Sequence, residues 1–150
     1  MGVVVREMKV DEWREWSSMR QALYDGLNDA DAETEARAFL DGRDPNLKIV
    51  YLALLDEEIA GFCELSERSY AEGCFDGPVA YFEGWYVREF ARRKGVGRAL
   101  LDAAIAWAKS KNYPHLASDA ELSNTRSQAA HKALGFEEVE RAVHFKMALK

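Results

Sequence analysis

The 150-residue chain has only two cysteines, three prolines and three histidines. Each shortage excludes something. Its apolar runs, such as Ile49 to Leu55, fall far short of the roughly 18 to 20 residues of a bilayer-spanning helix, so no membrane partner is expected. Met1 to Met8 carries one basic residue, no apolar core and no small-residue cleavage site, unlike a secretory signal. Cytoplasmic residence is the resulting expectation, and Cys63 and Cys74 are then expected as reduced thiols. With so few cysteines, and with His115 and His144 in no ligand-like spacing, no metal is expected. The low proline content and the lack of any low-complexity tract point to an ordered chain, and its length suits one domain over 1–150.

What is present is 48% hydrophobic and 31% charged, with a formal net charge of −6. An acidic surface repels nucleic acid phosphates and favours a cationic partner. The charge is uneven, however: between positions 88 and 98, Arg88, Arg92, Arg93, Lys94 and Arg98 face one acid, Glu89. That segment suits an anion.

Periodicity predicts a strand over Val3 to Met8, a helix from an Asp11 cap, and a second helix over Asp31 to Leu40. Lys48 to Leu55 and Ile59 to Glu67 read as a hairpin turning at Asp56-Glu57-Glu58, followed by a glycine-rich loop and an aromatic strand over Val79 to Val87. The clearest helix is Gly97 to Ser110, whose Leu100, Leu101, Ala104, Ile105 and Ala108 form an apolar stripe. A short strand over His115 to Ser118, a helix capped by Asn124 and stopped at Gly135, and a last strand over Arg141 to Ala148 complete the order. The order implies an α/β fold with a mixed, mostly antiparallel sheet, a central parallel pair at the Val79 and His115 strands, and helices on both faces.

Arg92-Arg93-Lys94-Gly95-Val96-Gly97 fits R-x-x-G-x-G between a predicted strand and a predicted helix. Glycines there let a ligand approach the backbone, and the free N–H groups and dipole of a helix start favour phosphate oxygens. Two glycines before a helix can also merely make a turn; the basic run and the strand-to-helix setting favour a pyrophosphate. Neither a G-x-x-x-x-G-K-[ST] loop nor a first-strand dinucleotide fingerprint is present.

This motif, with Ala133-Leu134-Gly135-Phe136 further on, resembles the GCN5-related N-acetyltransferase (GNAT) family, and the element order matches over essentially the whole chain. Phe82 to Val87, Ala117-Ser118-Asp119, Asn124, His131 to Phe136 and the Tyr70 to Cys74 loop resemble its aminoglycoside 6'-N-acetyltransferase subgroup. The resemblance implies acetyl-CoA as cosubstrate, splayed between the parallel strands. Its pyrophosphate would lie on Arg92, Arg93, Lys94, Gly95, Val96, Gly97 and Arg98, its pantetheine along Trp85, Tyr86 and Val87, and Asn124 would touch it. It further implies a cationic aminosugar acceptor, a role in antibiotic resistance, and a homodimer in which Glu140 reaches a partner's site.

Asp119 after a strand end and Glu83 within an aromatic strand can face one cleft, bind an ammonium and accept a proton. The alternatives are an ion pair with a strand neighbour for Glu83 and a loop or helix cap for Asp119. His131 stands where many members have a tyrosine that protonates the departing thiolate; it is a candidate acid or a packing residue. Tyr24 and Tyr70 are candidate walls for a sugar ring. No cysteine has the basic or helix-start setting of an acyl-enzyme nucleophile, so direct transfer in a ternary complex is expected. Acetylation of another small or protein amine, or non-catalytic acyl-CoA binding, are the rival readings.

Overall fold

Val3, Val4 and Val5 open the chain with β-branched residues that favour extended backbone, and β1 runs Val3–Glu7. The computed structural model describes residues 2–150, so Met1 of the N-terminal segment lies outside the described residues. The first helix does not start from Asp11. A 3-10 turn at Val10–Glu12 precedes α1, Trp13–Leu23, because the Glu12 carboxylate folds back to accept from Lys9 N at 2.8 Å and from both terminal nitrogens of Arg6 at 2.9 and 2.8 Å. Helix α2, Asp29–Leu40, begins two residues before the expected position since Asn28 caps it, accepting from Asp31 N at 2.8 Å.

Strands β2, Leu47–Leu55, and β3, Glu58–Arg68, form the expected hairpin, with Asp56 and Glu57 both at positive φ. Strand β4, Val79–Val87, pairs antiparallel with β3; helix α3, Val96–Ser110, then crosses over to β5, Leu116–Ser118, which is parallel to β4. Helix α4, Thr125–Ala133, follows with Asn124 as its cap. The five-stranded sheet has the order β1-β2-β3-β4-β5. Among the described residues the parallel pair therefore lies at the end of the sheet and not at its centre as expected, because no strand follows β5 to flank it.

Its two faces are covered by different helices. The predicted stripe of α3, with Leu100, Leu101 and Ala104 at most 2% exposed, packs on Leu55, Cys63, Leu65 and Phe82. Trp16, Met19 and Ala36 of α1 and α2 cover Val50, Leu52 and Phe62 on the opposite face. Each fully buried Leu, Met, Val or Phe side chain among these contributes about 1.5 to 3 kcal/mol. No helix among the described residues is long and apolar enough to cross a membrane.

The strand expected over Arg141 to Ala148 is not formed. Residues 137–150 have no assigned secondary structure, and Val143, Phe145, Met147 and Leu149 are 68 to 91% exposed. The period-two pattern is that of a half-buried strand, but a strand needs a partner for its backbone groups, and nothing among the described residues pairs with this segment.

Candidate functional site

At the end of β4 the chain turns through Glu89–Ala91 and enters α3 at Gly95. Gly95 has φ +83°, and the Cβ it lacks would meet nothing within 4 Å. Glycine is suited here because an L side chain is strained at that φ and would project into the open space before the helix. Ala99 N bonds to Gly95 O at 3.0 Å; the N–H groups of Val96, Gly97 and Arg98 precede it in the first turn, where no intrahelical acceptor exists. Arg92, Arg93, Lys94 and Arg98 are exposed around this mouth. Arg92 Nε donates to Val87 O at 3.0 Å, tying the basic loop to the strand end. Exposed donors, cations and open space over a glycine fit a pyrophosphate.

The adjoining groove arises where the parallel strands part. Pairing of β4 with β5 ends at Phe82 opposite Ser118, while β4 continues to Val87; the β5-facing edge of Gly84 to Val87 has no strand partner. Trp85 turns towards α3, donating from Nε1 to Gly97 O at 3.0 Å. Its indole thus fixes the strand end to the helix start, so what borders the groove is the β4 backbone.

A β-bulge sets the acids. The β3–β4 register passes from Glu64 opposite Gly84 to Leu65 opposite Phe82, leaving Glu83 as the extra residue. Hence Phe82 and Trp85, three positions apart, both face α3, while Tyr86 packs against the α1 and α2 side. Glu83 accepts from Arg68 Nε at 2.9 Å and Nη2 at 2.7 Å and also from Ser66 Oγ. The Arg68 guanidinium lies 3.6 Å from the centroid of Tyr81, and Tyr81 Oη donates to Asp119 Oδ2 at 2.6 Å. Burial, together with that bond to Asp119, pushes the Tyr81 phenol above its usual range. The two acids singled out in the sequence therefore belong to one cluster, bridged by Arg68 and Tyr81. The ion pair weighed for Glu83 is present, with Arg68 as its strand neighbour.

Beneath the bulge lies a third acid, which sequence reasoning missed. Glu64 is 3% exposed and accepts from Trp16 Nε1 at 3.0 Å, Arg20 Nε at 2.6 Å and Tyr24 Oη at 3.4 Å. Burial pushes its carboxyl up, opposed by Arg20; three donors on two oxygens hold it as the carboxylate. Tyr24 Oη also lies 3.4 Å from Glu83 O, and burial beside Glu64 raises its pKa well above the phenol range. Gly84 closes this arrangement: a Cβ there would stand 2.6 Å from Tyr24 Oη and 3.2 Å from Glu64 Cδ. A glycine inside an aromatic strand was the available signal for a bulge or close approach, whereas Arg20 and Glu64 are too far apart in sequence for local pattern to join them.

His131 is held on all sides. Nδ1 lies 2.7 Å from Ser127 O, Nε2 lies 2.8 Å from Ser118 Oγ, and the ring packs against Trp85 and Phe136 at centroid distances of 5.3 and 5.0 Å. Ser118 Oγ in turn lies 3.1 Å from Phe82 O, at the point where the strands part. Asn124 uses its side-chain oxygen to cap α4 through Ser127 N at 3.1 Å. Tyr70 is 57% exposed and lies beside Phe75 in the loop before β4. Glu140 is exposed in the unpaired C-terminal segment, and no hydrogen bond within the described residues ties it to the acid cluster. Cys63 and Cys74 are free, and burial raises the Cys63 thiol far above its usual range. No metal-holding group of three His, Cys, Asp or Glu side chains occurs among the described residues. Two surface hollows of about 400 and 240 Å³ lie elsewhere, lined by residues such as Trp107 and Lys111 or Trp13 and Gln21.

Residues 6–136 match the acetyltransferase (GNAT) family model. The chain belongs to the GNAT family. A relative from Klebsiella aerogenes, aminoglycoside N(6')-acetyltransferase type 1, is 41% identical over 147 residues, 97% of each chain. One of the same description from Stenotrophomonas maltophilia is 39% identical over 90% of this chain and 86% of that one. Among solved structures, AAC(6')-Iy in complex with the bisubstrate analog CoA-S-monomethyl-acetylneamine superposes with a TM-score of 0.89 at 31% identity, covering 99% of this chain and 100% of that one. The aminoglycoside antibiotic 6'-N-acetyltransferase AAC(6')-Ih from Acinetobacter baumannii gives 0.85 at 30% identity over 99% and 100%. The mixed α/β GNAT fold expected from the element order is the fold of these structures.

Proposed function

We propose that this protein transfers the acetyl group of acetyl-CoA to the 6'-amino group of aminoglycosides, with the whole chain forming one catalytic domain. The observation that carries the reading is the juxtaposition of an anion-binding helix start, a parted strand pair and an acid cluster in a chain 41% identical to an enzyme of that description. Acetyl-CoA supplies the activated thioester. The first turn of α3 and the basic residues Arg92 to Arg98 hold its pyrophosphate, and the unpaired edge of Trp85 to Val87 holds its pantetheine; Asn124 borders the same groove from α4.

Asp119 and Glu83 bind acceptor ammonium groups between the walls made by Tyr24 and Tyr70. The attacking amine must be neutral, so one proton leaves it before transfer. Asp119 is the better placed acceptor, directly or through water, because Tyr81 engages one of its oxygens whereas Arg68 and Ser66 occupy both oxygens of Glu83. His131, linked through Ser118 to the parting strands, supplies the proton that the leaving thiolate takes up. The net charge of −6 favours a polycationic acceptor over nucleic acid, and an aminoglycoside-modifying enzyme working on imported drug belongs in the cytoplasm, where it confers antibiotic resistance.

The unpaired segment 137–150 supports a homodimer. Its alternating Val143, Phe145, Met147 and Leu149 are exposed, and β5 offers an edge with no further strand. Pairing with a second copy satisfies both, and carries Glu140 towards the partner's acceptor cleft. Sedimentation showing a monomer at micromolar concentration would remove this part of the proposal.

Thiol release on a panel of aminoglycosides, polyamines and peptides tests the activity. Turnover is expected on an aminoglycoside with a 6'-amine, and no 6'-acetylated product on its 6'-hydroxyl counterpart. Efficient turnover of peptide amines with none on aminoglycosides excludes the substrate; tight acetyl-CoA binding with no turnover on any amine excludes the enzyme.

A further inference from the structure

The acceptor cluster already contains a cation. Arg68 closes β3 next to the loop bearing Tyr70, and its guanidinium makes a two-point bond to Glu83 at 2.9 and 2.7 Å while stacked 3.6 Å over Tyr81. Its side chain is 43% exposed and that of Glu83 24%, so neither is locked in place by burial. The pair Arg20 and Glu64 underneath is closed on itself and on Glu35. The solvent-accessible charge of the cluster is therefore that of Glu83, Asp119 and Arg68, which sum to one negative charge.

We propose that Arg68 is a specificity-determining residue: an internal cation that occupies Glu83 in the unliganded protein and gives it up to an ammonium group of the acceptor. The inference rests on the aminoglycoside reading above. Neither side chain is fully buried, so an acceptor ammonium can reach Glu83 and replace the guanidinium charge for charge, which offsets the cost of opening the two-point pair. An acceptor with one ammonium is served by Asp119 alone and leaves the Arg68–Glu83 pair intact. A polycation also reaches Glu83, and there it competes with the guanidinium. The stack on Tyr81 keeps the displaced Arg68 beside the cleft, where its charge opposes every further ammonium. Arg68 thus limits affinity for highly charged acceptors and keeps the site from retaining them.

The test measures acceptor binding by calorimetry without acetyl-CoA, for wild type, Arg68→Met and Arg68→Lys. Removing one charge a few ångströms from a bound ammonium in a solvated cleft is expected to tighten a tetracationic aminoglycoside roughly five- to tenfold, with a steeper salt dependence. A monoamine sugar should change less than twofold, and Arg68→Lys should stay near wild type. In wild type, the Arg68 side-chain N–H resonance, assigned by its loss in Arg68→Lys, should move when the aminoglycoside is added without other ligand. Weaker polycation binding in Arg68→Met, with acetyl-CoA affinity retained, overturns the proposal, because Arg68 then holds Glu83 for the acceptor. An unmoved resonance at saturating aminoglycoside also overturns it. If wild type binds no aminoglycoside while acetyl-CoA binds normally, the substrate reading itself fails, and the Arg68 proposal fails with it.

Discussion

Replacing Gly95 by valine separates a binding role for the α3 entrance from a folding role. Gly95 sits at φ +83° with open space where a Cβ would go, so valine acts in two ways. The left-handed backbone costs an L residue about 1 to 2 kcal/mol, more for a β-branched one, and this is a cost to stability alone. The added isopropyl group enters the space through which an anion reaches the N–H groups of the first turn. Hydrogen bonds to a charged acceptor are worth about 1.5 to 3 kcal/mol each; losing one or two of them weakens acetyl-CoA binding by about 10- to 10⁴-fold. Calorimetric titration with acetyl-CoA, alongside thermal unfolding, reads the two effects apart. Gly95→Ala, with the strain and little of the bulk, should lose stability but less affinity. If Gly95→Val binds acetyl-CoA as wild type does, the anion is held elsewhere and the pyrophosphate assignment is wrong.

Asp119→Asn should lower turnover of a 6'-amine acceptor by about 10²-fold, the lower end of what a positioned base supplies, while acetyl-CoA affinity is unchanged; an equal loss in both would mean a structural role. For His131→Ala the expected result is a fall in kcat that exceeds any change in either substrate's affinity, and an unaltered maximal rate would leave His131 as packing between Trp85 and Phe136. Gly84→Ala should destabilise by about 1 to 3 kcal/mol through overpacking, since the new Cβ meets Tyr24 Oη at 2.6 Å; adding Tyr24→Phe should recover most of this, and an additive double variant would disprove the contact. Glu12, held by Arg6 down to about 2 from 4.5, contributes stability that is complete above the unfolded carboxyl range and is lost as pH falls from about 4.5 towards 2. Discounted for solvent screening, this is about 1 kcal/mol, so Arg6→Met should unfold at higher pH on acid titration.

The fold was legible wherever one segment carried its own pattern. The α3 stripe, the Asp56–Glu57 turn and the Asn124 cap each depend on residues within a few positions, and each lies where periodicity placed it. The Asp11 cap failed for a reason of the same scale: Glu12 bonds back to Lys9 and Arg6, and a carboxylate one residue further on took over the helix entrance. The strand over Arg141 to Ala148 failed for a different reason. Period-two alternation reports that a segment is suited to burying one face, and carries no information about which chain supplies the other half of the ladder.

The acid cluster shows what pattern cannot reach. Glu83 and Asp119 were visible because a carboxylate inside an aromatic strand or just past an apolar one is locally anomalous, but Arg68, Tyr81 and Glu64 look ordinary in sequence. Their roles come from register. With β3 and β4 aligned so that Ser66 faces Tyr81, a one-residue bulge at Glu83 sends that carboxylate towards Arg68 and leaves Gly84 over Glu64. Shifting the register by one residue would exchange the faces of β4, bringing Phe82 to the α1 side and Tyr81 to the α3 core. The bulge divides one strand into two parts: up to Phe82, β4 pairs with β5 and serves the core, and beyond it the strand has a free edge and a rotated set of side chains, the part to which the proposed activity assigns both substrates. The buried Glu64 carboxylate, gripped by Trp16, Arg20 and Tyr24, ties that bulge to α1 and to Tyr24 at its end, the residue proposed as a wall for the acceptor.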